Sequence, residues 1–237
     1  MGVGTVPNYA MMCAMRRALV ALLLLWSGWA AAQTNLAPGF TKLPPESRIA
    51  LMPADVELFE MGMGGINEPK ADWTEAATRN IMADLRARKA KLGARAVEVP
   101  RDNDPVVEDL NAVHGAVSRS IMVHHFGPLK LPTKNGQLDW TLGPEAAQIG
   151  AKYNADYALF VWVRDSYASA ERKAAMVIGA LFGVGMTAGI QQAYASLVDL
   201  KTGRIVWFNR LVRGTGDLRE AEPATETLDA ILAGFPL

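Results

Sequence analysis

The chain has 237 residues, with 24 basic and 24 acidic side chains, and half of its residues are hydrophobic. At roughly 150 residues per domain this is one domain with an appendage, long enough to bury a substantial core. The balanced charge lacks the electrostatic footprint of a nucleic-acid binder, and a lone cysteine excludes a disulfide framework and a cysteine-rich metal site.

Met15-Arg16-Arg17 precedes an apolar run over 18–26, followed by Ser27-Gly28-Trp29-Ala30-Ala31-Ala32. A basic start, a short apolar run and an Ala-x-Ala end predict a cleaved signal peptide over 1–32, with Ala32 and Gln33 flanking the cut. Residues 1–14 read as an over-extended start, because Met11, Met12 and Met15 are each suitable initiators. The arginine pair lacks the flanks of a twin-arginine signal, so general export to the periplasm is expected. Cys13 precedes the apolar run and cannot be the lipid-bearing residue of a lipoprotein. The remaining chain has 22 basic and 24 acidic groups and no cysteine, so packing alone must hold it together.

Residues 33–47, rich in Pro, Gly and Thr, are expected to be a flexible lead-in, and 48–237 a single domain. Residues 48–52 read as a strand ended by Pro53, and 61–68, with Gly62, Gly64 and Gly65, as a loop. Asp72 and Glu75 form a capping-box pattern before Trp73, Ala77, Ile81, Leu85 and Leu92, which recur at helical spacing up to Gly93. A short strand follows over 96–99. Asp104-Pro105 predicts a helix start, with Val106, Leu110, Val113, Val117, Ile121 and His124 on one stripe and Gly127-Pro128 at its end. Residues 129–133 and 137–141 flank Lys134-Asn135-Gly136, a hairpin signal. Pro144 opens a short helix to about Tyr153. Strands are expected over 156–163, 193–200 and 204–212, with Lys201-Thr202-Gly203 as a turn. Glu222-Pro223 starts a last helix with Leu228, Ile231 and Leu232 inward. The fold class is therefore α/β (α+β): a mixed sheet with helices packed on it, closed by a C-terminal hairpin and helix.

The 25 residues from Ala174 to Val198 carry no charge, and a glycine-rich apolar insertion occupies 174–192. Three readings compete for residues 174–190: a transmembrane span, an element lying on a membrane or joining copies, and an apolar segment tucked against its own domain. A single span would put the flanking strands on opposite sides of the bilayer.

Three pieces now stand together: Arg48-Ile49-Ala50-Leu51-Met52-Pro53, the strand from Asn154-Ala155-Asp156-Tyr157, and Asp199-Leu200-Lys201-Thr202-Gly203-Arg204-Ile205-Val206-Trp207. In this order they resemble the periplasmic α/β domain shared by the TolB amino-terminal domain, the curli-secretion lipoproteins and related envelope accessory lipoproteins. The resemblance implies a binding and assembly module, not an enzyme. The missing lipid-bearing cysteine is a departure from that pattern, and residues 174–190 are a candidate substitute for the anchor.

The remaining motifs carry little chemistry. His114 and His125 are about 16 Å apart along a helix, and His124 and His125 point about 100° apart, so no zinc site is expected. Gly62-Met63-Gly64-Gly65 lacks the lysine and spacing of a nucleotide loop, and no cofactor is expected. Arg86, Arg88, Lys89, Lys91 and Arg95 form a basic cluster that complements a helix end or faces anionic lipid head groups. Asp165, Ser166, Tyr167 and Arg172 are expected to line a partner-binding rim, with Met176, Leu181, Phe182 and Ile190 as apolar contacts. Ser166 or Ser169 as a nucleophile would need a base that no histidine motif supplies. The expected function is an exported, non-enzymatic envelope protein acting through contacts with a protein partner in assembly or secretion. The alternative is a membrane-associated homo-oligomer of the secretion-channel type, and a serine hydrolase is third.

Overall fold

A computed structural model describes residues 35–89, 95–101 and 104–237. The signal segment, its cut site at Ala32 and Gln33, and Lys91, Leu92 and Gly93 lie outside the described residues.

The strands are β1 (Ile49–Leu51), β2 (Asp55–Met61), β3 (Asn67–Pro69), β4 (Ala96–Glu98), β5 (Tyr157–Ala168), β6 (Gln191–Asp199) and β7 (Ile205–Arg213). The helices are α1 (Ala71–Ala87), α2 (Pro105–Ile121), α3 (Ala146–Tyr153), α4 (Ala170–Leu181) and α5 (Ala221–Ile231). Together the strands make one mixed sheet with helices packed on it. Its spine is β5, twelve residues long, which pairs antiparallel with β6 on one edge and parallel with β1 and then β2 on the other. A strand buried on both faces reads as a continuous apolar run, which is why residues 157–163 stand out in the sequence.

Strands β1 and β2 are two halves of one edge-to-edge partner of β5. Leu51 sits opposite Leu159, and Asp55 opposite Trp162, so the register slips by one residue across Met52-Pro53-Ala54. Pro53 cannot donate to a ladder, and a bulge there is its physical consequence. β4 continues the sheet beside β1, and β3 beside β2. On the far side β7 pairs with β6.

Two cores cover the two faces. Ala77, Ile81 and Leu85 of α1 and Leu228 and Ile231 of α5 pack on Leu159, Val161, Val163 and Trp207. Leu110 and Ile121 of α2 and Ala146 and Ile149 of α3 pack on Ala158, Phe160 and Phe208. α2 comes so close to β5 that a Cβ on Gly115 would lie 2.9 Å from the Trp162 Nε1.

Several expectations are corrected. Residues 35–47 are not a free lead-in: Ala37 N donates to Val206 O, Phe208 N donates to Asn35 O, both at 2.9 Å, and Leu43 is buried. The strand β2 falls where no strand was expected. Helix α1 starts after Lys70 with no side-chain cap, so Asp72 lies in its first turn, where a carboxylate complements the helix dipole. Helix α2 is capped as expected, Asp104 accepting from Val106 N at 3.0 Å, but its buried stripe is Val107, Leu110, His114, Gly115, Ser118 and Ile121. Val113 is exposed. The hairpin around Lys134-Asn135-Gly136 does not form. Pro132–Lys134 make one 3-10 turn, and Trp140 and Thr141 instead pair with the start of β7, Ile205 N donating to Trp140 O at 2.9 Å.

The β6–β7 turn is built as its sequence implies. Asp199 Oδ1 accepts from Lys201 N at 2.8 Å and Thr202 N at 3.2 Å, and Gly203 adopts φ +71°. A Cβ on Gly203 would sit 1.9 Å from Gly143 O. Gly203→Ala therefore combines left-handed strain of about 1–2 kcal/mol with a backbone collision. Urea denaturation is expected to show a loss of at least about 2 kcal/mol with the slope unchanged.

Candidate functional site

The uncharged insertion is a helix with a return limb, joining the ends of β5 and β6. Ser169, immediately after β5, caps α4 by accepting from Arg172 N at 3.2 Å. The helix ends at Leu181, and the chain turns back at Phe182 and Gly183, where Gly183 has φ +75°. The return limb reaches the sheet where Ala168 N donates to Ala188 O at 2.7 Å and Ile190 N to Ser166 Oγ at 3.0 Å. Across the sheet edge, the β2–β3 turn closes with Gly62 N donating to Ile66 O at 2.9 Å.

Arg172 ties these three segments together. Its Nε donates to Thr187 O at 3.0 Å, and its Nη1 reaches Gly62 O at 3.3 Å and Met63 O at 3.2 Å. A buried guanidinium serving three main-chain carbonyls fixes α4 and the return limb to the β2–β3 turn.

Beyond this anchor the element faces outward. Leu181 is 80% exposed and Phe182 79%. Val177, Ile178, Val184 and Ile190 are also exposed, as are Met63 and Ile66 on the neighbouring turn. Val177, Leu181 and Ile178 make a stripe about 100° wide on α4, and Phe182 follows directly at its C-terminal end. Met176 is half-buried. The reading in which residues 174–190 tuck against their own domain is therefore corrected. Among the described residues no helix is long and apolar enough to cross a membrane.

The polar residues beneath the element do not form a solvent-facing rim. Asp165, Ser166 and Arg172 are buried, and Tyr167 is half-buried. Asp165 Oδ2 accepts from Tyr167 Oη at 2.7 Å and from Gln191 Nε2 at 2.6 Å. Gln191 Oε1 in turn accepts from Arg213 Nε at 2.8 Å and Thr227 Oγ1 at 3.0 Å. The Tyr167 hydroxyl accepts from Leu218 N at 2.8 Å. Burial raises the Asp165 carboxyl above the ordinary aspartate value, against the pull of its Gln191 and Tyr167 donors. Burial raises the Tyr167 phenol as well, reinforced by the Asp165 charge. This network joins β5, β6, β7 and α5 under the base of the projection. Gln191, Arg213 and Thr227 were not singled out from the sequence, since they come from separate elements with no local motif.

The basic cluster at the end of α1 is largely engaged. Arg86 forks onto Glu98 at 2.6–2.9 Å. Arg88 bridges Asp84 at 2.8 Å and Asp229 at 2.5 Å. Arg95 pairs with Glu46, and Lys89 is exposed. The two arginines expected to face lipid head groups thus hold α1 to β4 and α5.

Ser166 and Ser169 spend their hydroxyls on Ile190 and Arg172, with no histidine at hand. A Ser–His contact exists elsewhere: His114 Nε2 lies 2.8 Å from Ser196 Oγ and 3.2 Å from Ser118 Oγ, stacked on Phe160 with a 5.0 Å centroid separation. All three polar residues are buried, and burial lowers the His114 pKa to about 3. A base held neutral and sealed from solvent serves packing rather than turnover. His124 donates from Nδ1 to Leu129 O at 2.7 Å, and His125 is buried. No group of three metal-ligating side chains occurs among the described residues.

No protein-family model matches the sequence, and no curated protein matches it. Among solved structures, the chain is similar to the PelC dodecamer from Paraburkholderia phytofirmans, at 14% identity and a TM-score of 0.40, over 83% of this chain and 94% of that one. It is similar to the LpoB C-terminal domain from Salmonella enterica at 15% identity and a TM-score of 0.28, over 83% and 93% of the two chains. A third similar structure is lipoprotein GNA1162 from Neisseria meningitidis, at 12% identity and a TM-score of 0.28, over 70% and 79%.

Proposed function

We propose that this chain is an exported, non-enzymatic envelope domain that works by contact, and that its working surface is the apolar projection of α4, its return limb and the β2–β3 turn. The observation that carries this reading is the pairing of exposed Leu181, Phe182, Val177 and Ile66 with a buried Arg172 anchor. Large apolar side chains gathered on a secured projection mark an association surface, whereas scattered ones do not. The chemistry at the base is structural, since its polar groups satisfy one another. The partner is a protein of the envelope. A second reading, contact with a membrane surface, is favoured by the absence of any charge from Ala174 to Val198.

Leu181→Asp combined with Phe182→Asp tests the proposal, because both side chains are exposed and the fold does not need them. The double variant is expected to keep the wild-type melting temperature and to lose at least tenfold in assembly, read as its share of the cross-linked complex in cells. A complex of unchanged size and abundance would sink the proposal. Flotation of the purified protein with phospholipid vesicles separates the two readings: protein contact leaves the wild type at the bottom of the gradient, and membrane contact carries it up.

A further inference from the structure

A gap in the sheet lies at the other end of β2 from the projection, and none of the projection's contacts to Arg172 involve it. Strand β4 ends at Glu98, its last rung is Val99 N donating to Leu51 O at 2.9 Å, and Pro100 has no N–H to continue the ladder. On the other half of the edge, β3 pairs with β2 only from Phe59 onward. Between these limits the outer edge of the chain around Ala54 carries no strand. A cleft of about 440 Å³ opens there, at the carboxyl ends of β1 and β4, walled by α1. Crevices at the carboxyl ends of parallel strands are where α/β sheets take ligands.

The main-chain groups along this edge are served by side chains. Leu58 N donates to Thr74 Oγ1 at 2.9 Å. Ala54 is fully buried, yet its N–H points at Met82 Sδ at 3.4 Å, and its carbonyl accepts from Arg101 Nη2 at 2.8 Å. A thioether is a weak acceptor, so a buried amide facing one lacks its proper partner. The cleft floor is apolar, with Met82 and Val99 buried. Of the three arginines on its rim, Arg79 is paired with Glu75 and Arg86 with Glu98. Arg101 has no carboxylate partner among the described residues and leaves one positive charge over.

We propose that this gap is a docking slot for an extended peptide segment of a partner protein, with an apolar side chain for the cleft and a carboxylate for Arg101. The peptide carbonyl would replace Met82 Sδ as acceptor for Ala54 N–H, and a peptide N–H would donate to Ala54 O, releasing Arg101 to the carboxylate. Main-chain pairing supplies affinity in such strand addition, and the side-chain cleft supplies selectivity. An acyl chain would suit the floor and rim but offers no acceptor to Ala54 at that depth. The slot is independent of the projection's role.

Random heptapeptides displayed on phage and panned on the purified protein test this, with enriched sequences resynthesised carrying fluorescein for polarisation titrations. Enriched peptides are expected to pair an apolar residue with Asp or Glu, and to shift the Ala54 amide resonance on binding. Thr78→Trp, which fills the cleft, should weaken them at least tenfold. Arg101→Gln, which keeps an amide donor for the Ala54 carbonyl but removes the charge, should weaken them about fivefold with the melting temperature checked alongside. Leu181→Asp/Phe182→Asp should leave them unchanged, which separates this site from the projection. Failure to enrich any peptide overturns the proposal, as does binding that survives either cleft substitution, or dansyl-undecanoate binding in place of the peptides.

Discussion

Gln191→Leu is expected to destabilise the protein by about 3 kcal/mol, although it replaces one buried side chain by another of similar volume. Gln191 is the hinge of the network: its Nε2 donates to Asp165 and its Oε1 accepts from Arg213 and Thr227. Leucine leaves a buried carboxylate with one donor fewer and strips the acceptor from the Arg213 Nε, whose Nη2 keeps Thr227 Oγ1 at 2.7 Å, and stripping a partner from a buried charge costs about 3–5 kcal/mol. Tyr167 still serves Asp165, which places the expectation at the lower end. For a domain of this size that is a fall of about 6–12 °C in melting temperature. In an Asp165→Asn background the same substitution should cost at least about 1 kcal/mol less, because no charge is left stranded. Additive effects in that cycle would show that the network is a set of independent contacts. pH gives a second handle. The Asp165 pKa is raised on folding, so its ionised form is the disfavoured one, and the folded state gains relative stability as pH falls through that raised value. The cost of Gln191→Leu should therefore shrink as pH falls through that raised value, before the ordinary aspartate range is reached.

The sheet was legible wherever burial on both faces wrote a continuous apolar run, as in residues 157–163, and wherever turn chemistry was local, as in Asp199 and Gly203. It was least legible where pairing overrides composition. β5 runs on through Arg164, Asp165, Ser166 and Tyr167 because β2 pairs with it throughout and β6 as far as Asp165, so polar side chains do not end it. β2 was hidden between Pro53 and a glycine cluster, although Val56 and Leu58 already alternate inward. The inner stripe of α2 was misplaced because it carries His114 and Ser118, polar residues whose partner Ser196 comes from the opposite side of the core. The absence of charge over residues 174–198 was plain, but whether the segment faced its own domain or the outside depended on one arginine reaching carbonyls more than a hundred residues away. The cleft beside Ala54 left two local marks, Pro53 and Pro100. Only the sheet topology brings them to the same edge.

Between pH 6.5 and pH 4.5 the protein should lose about 2 kcal/mol more stability than its His114→Gln variant. His114 is surrounded by Phe160, Ser118 and Ser196, none of which can neutralise an imidazolium. Its pKa falls from 6.5 to about 3 by burial. The unfolded chain therefore takes up a proton at this residue as pH drops below 6.5 while the folded chain refuses it. Stability is full above 6.5 and declines by up to about 1.4 kcal/mol per pH unit until the folded value is reached, approaching about 5 kcal/mol. Glutamine keeps a hydrogen-bonding group for the two serines but has no proton to gain, so its own cost at pH 7 is the same at pH 4.5. Asp165, whose raised pKa acts in the opposite direction, is present in both proteins and cancels from the comparison. The paired carboxylates Glu98 and Asp104, held below their usual range by Arg86 and Lys152, respond only at lower pH. Urea midpoints of the two proteins at pH 7.0, 5.5 and 4.5 give the difference directly. Parallel curves would mean that a proton reaches His114 in the folded state, and that the core between α2 and β6 is open to water. A sealed core predicts curves that diverge steadily toward acid.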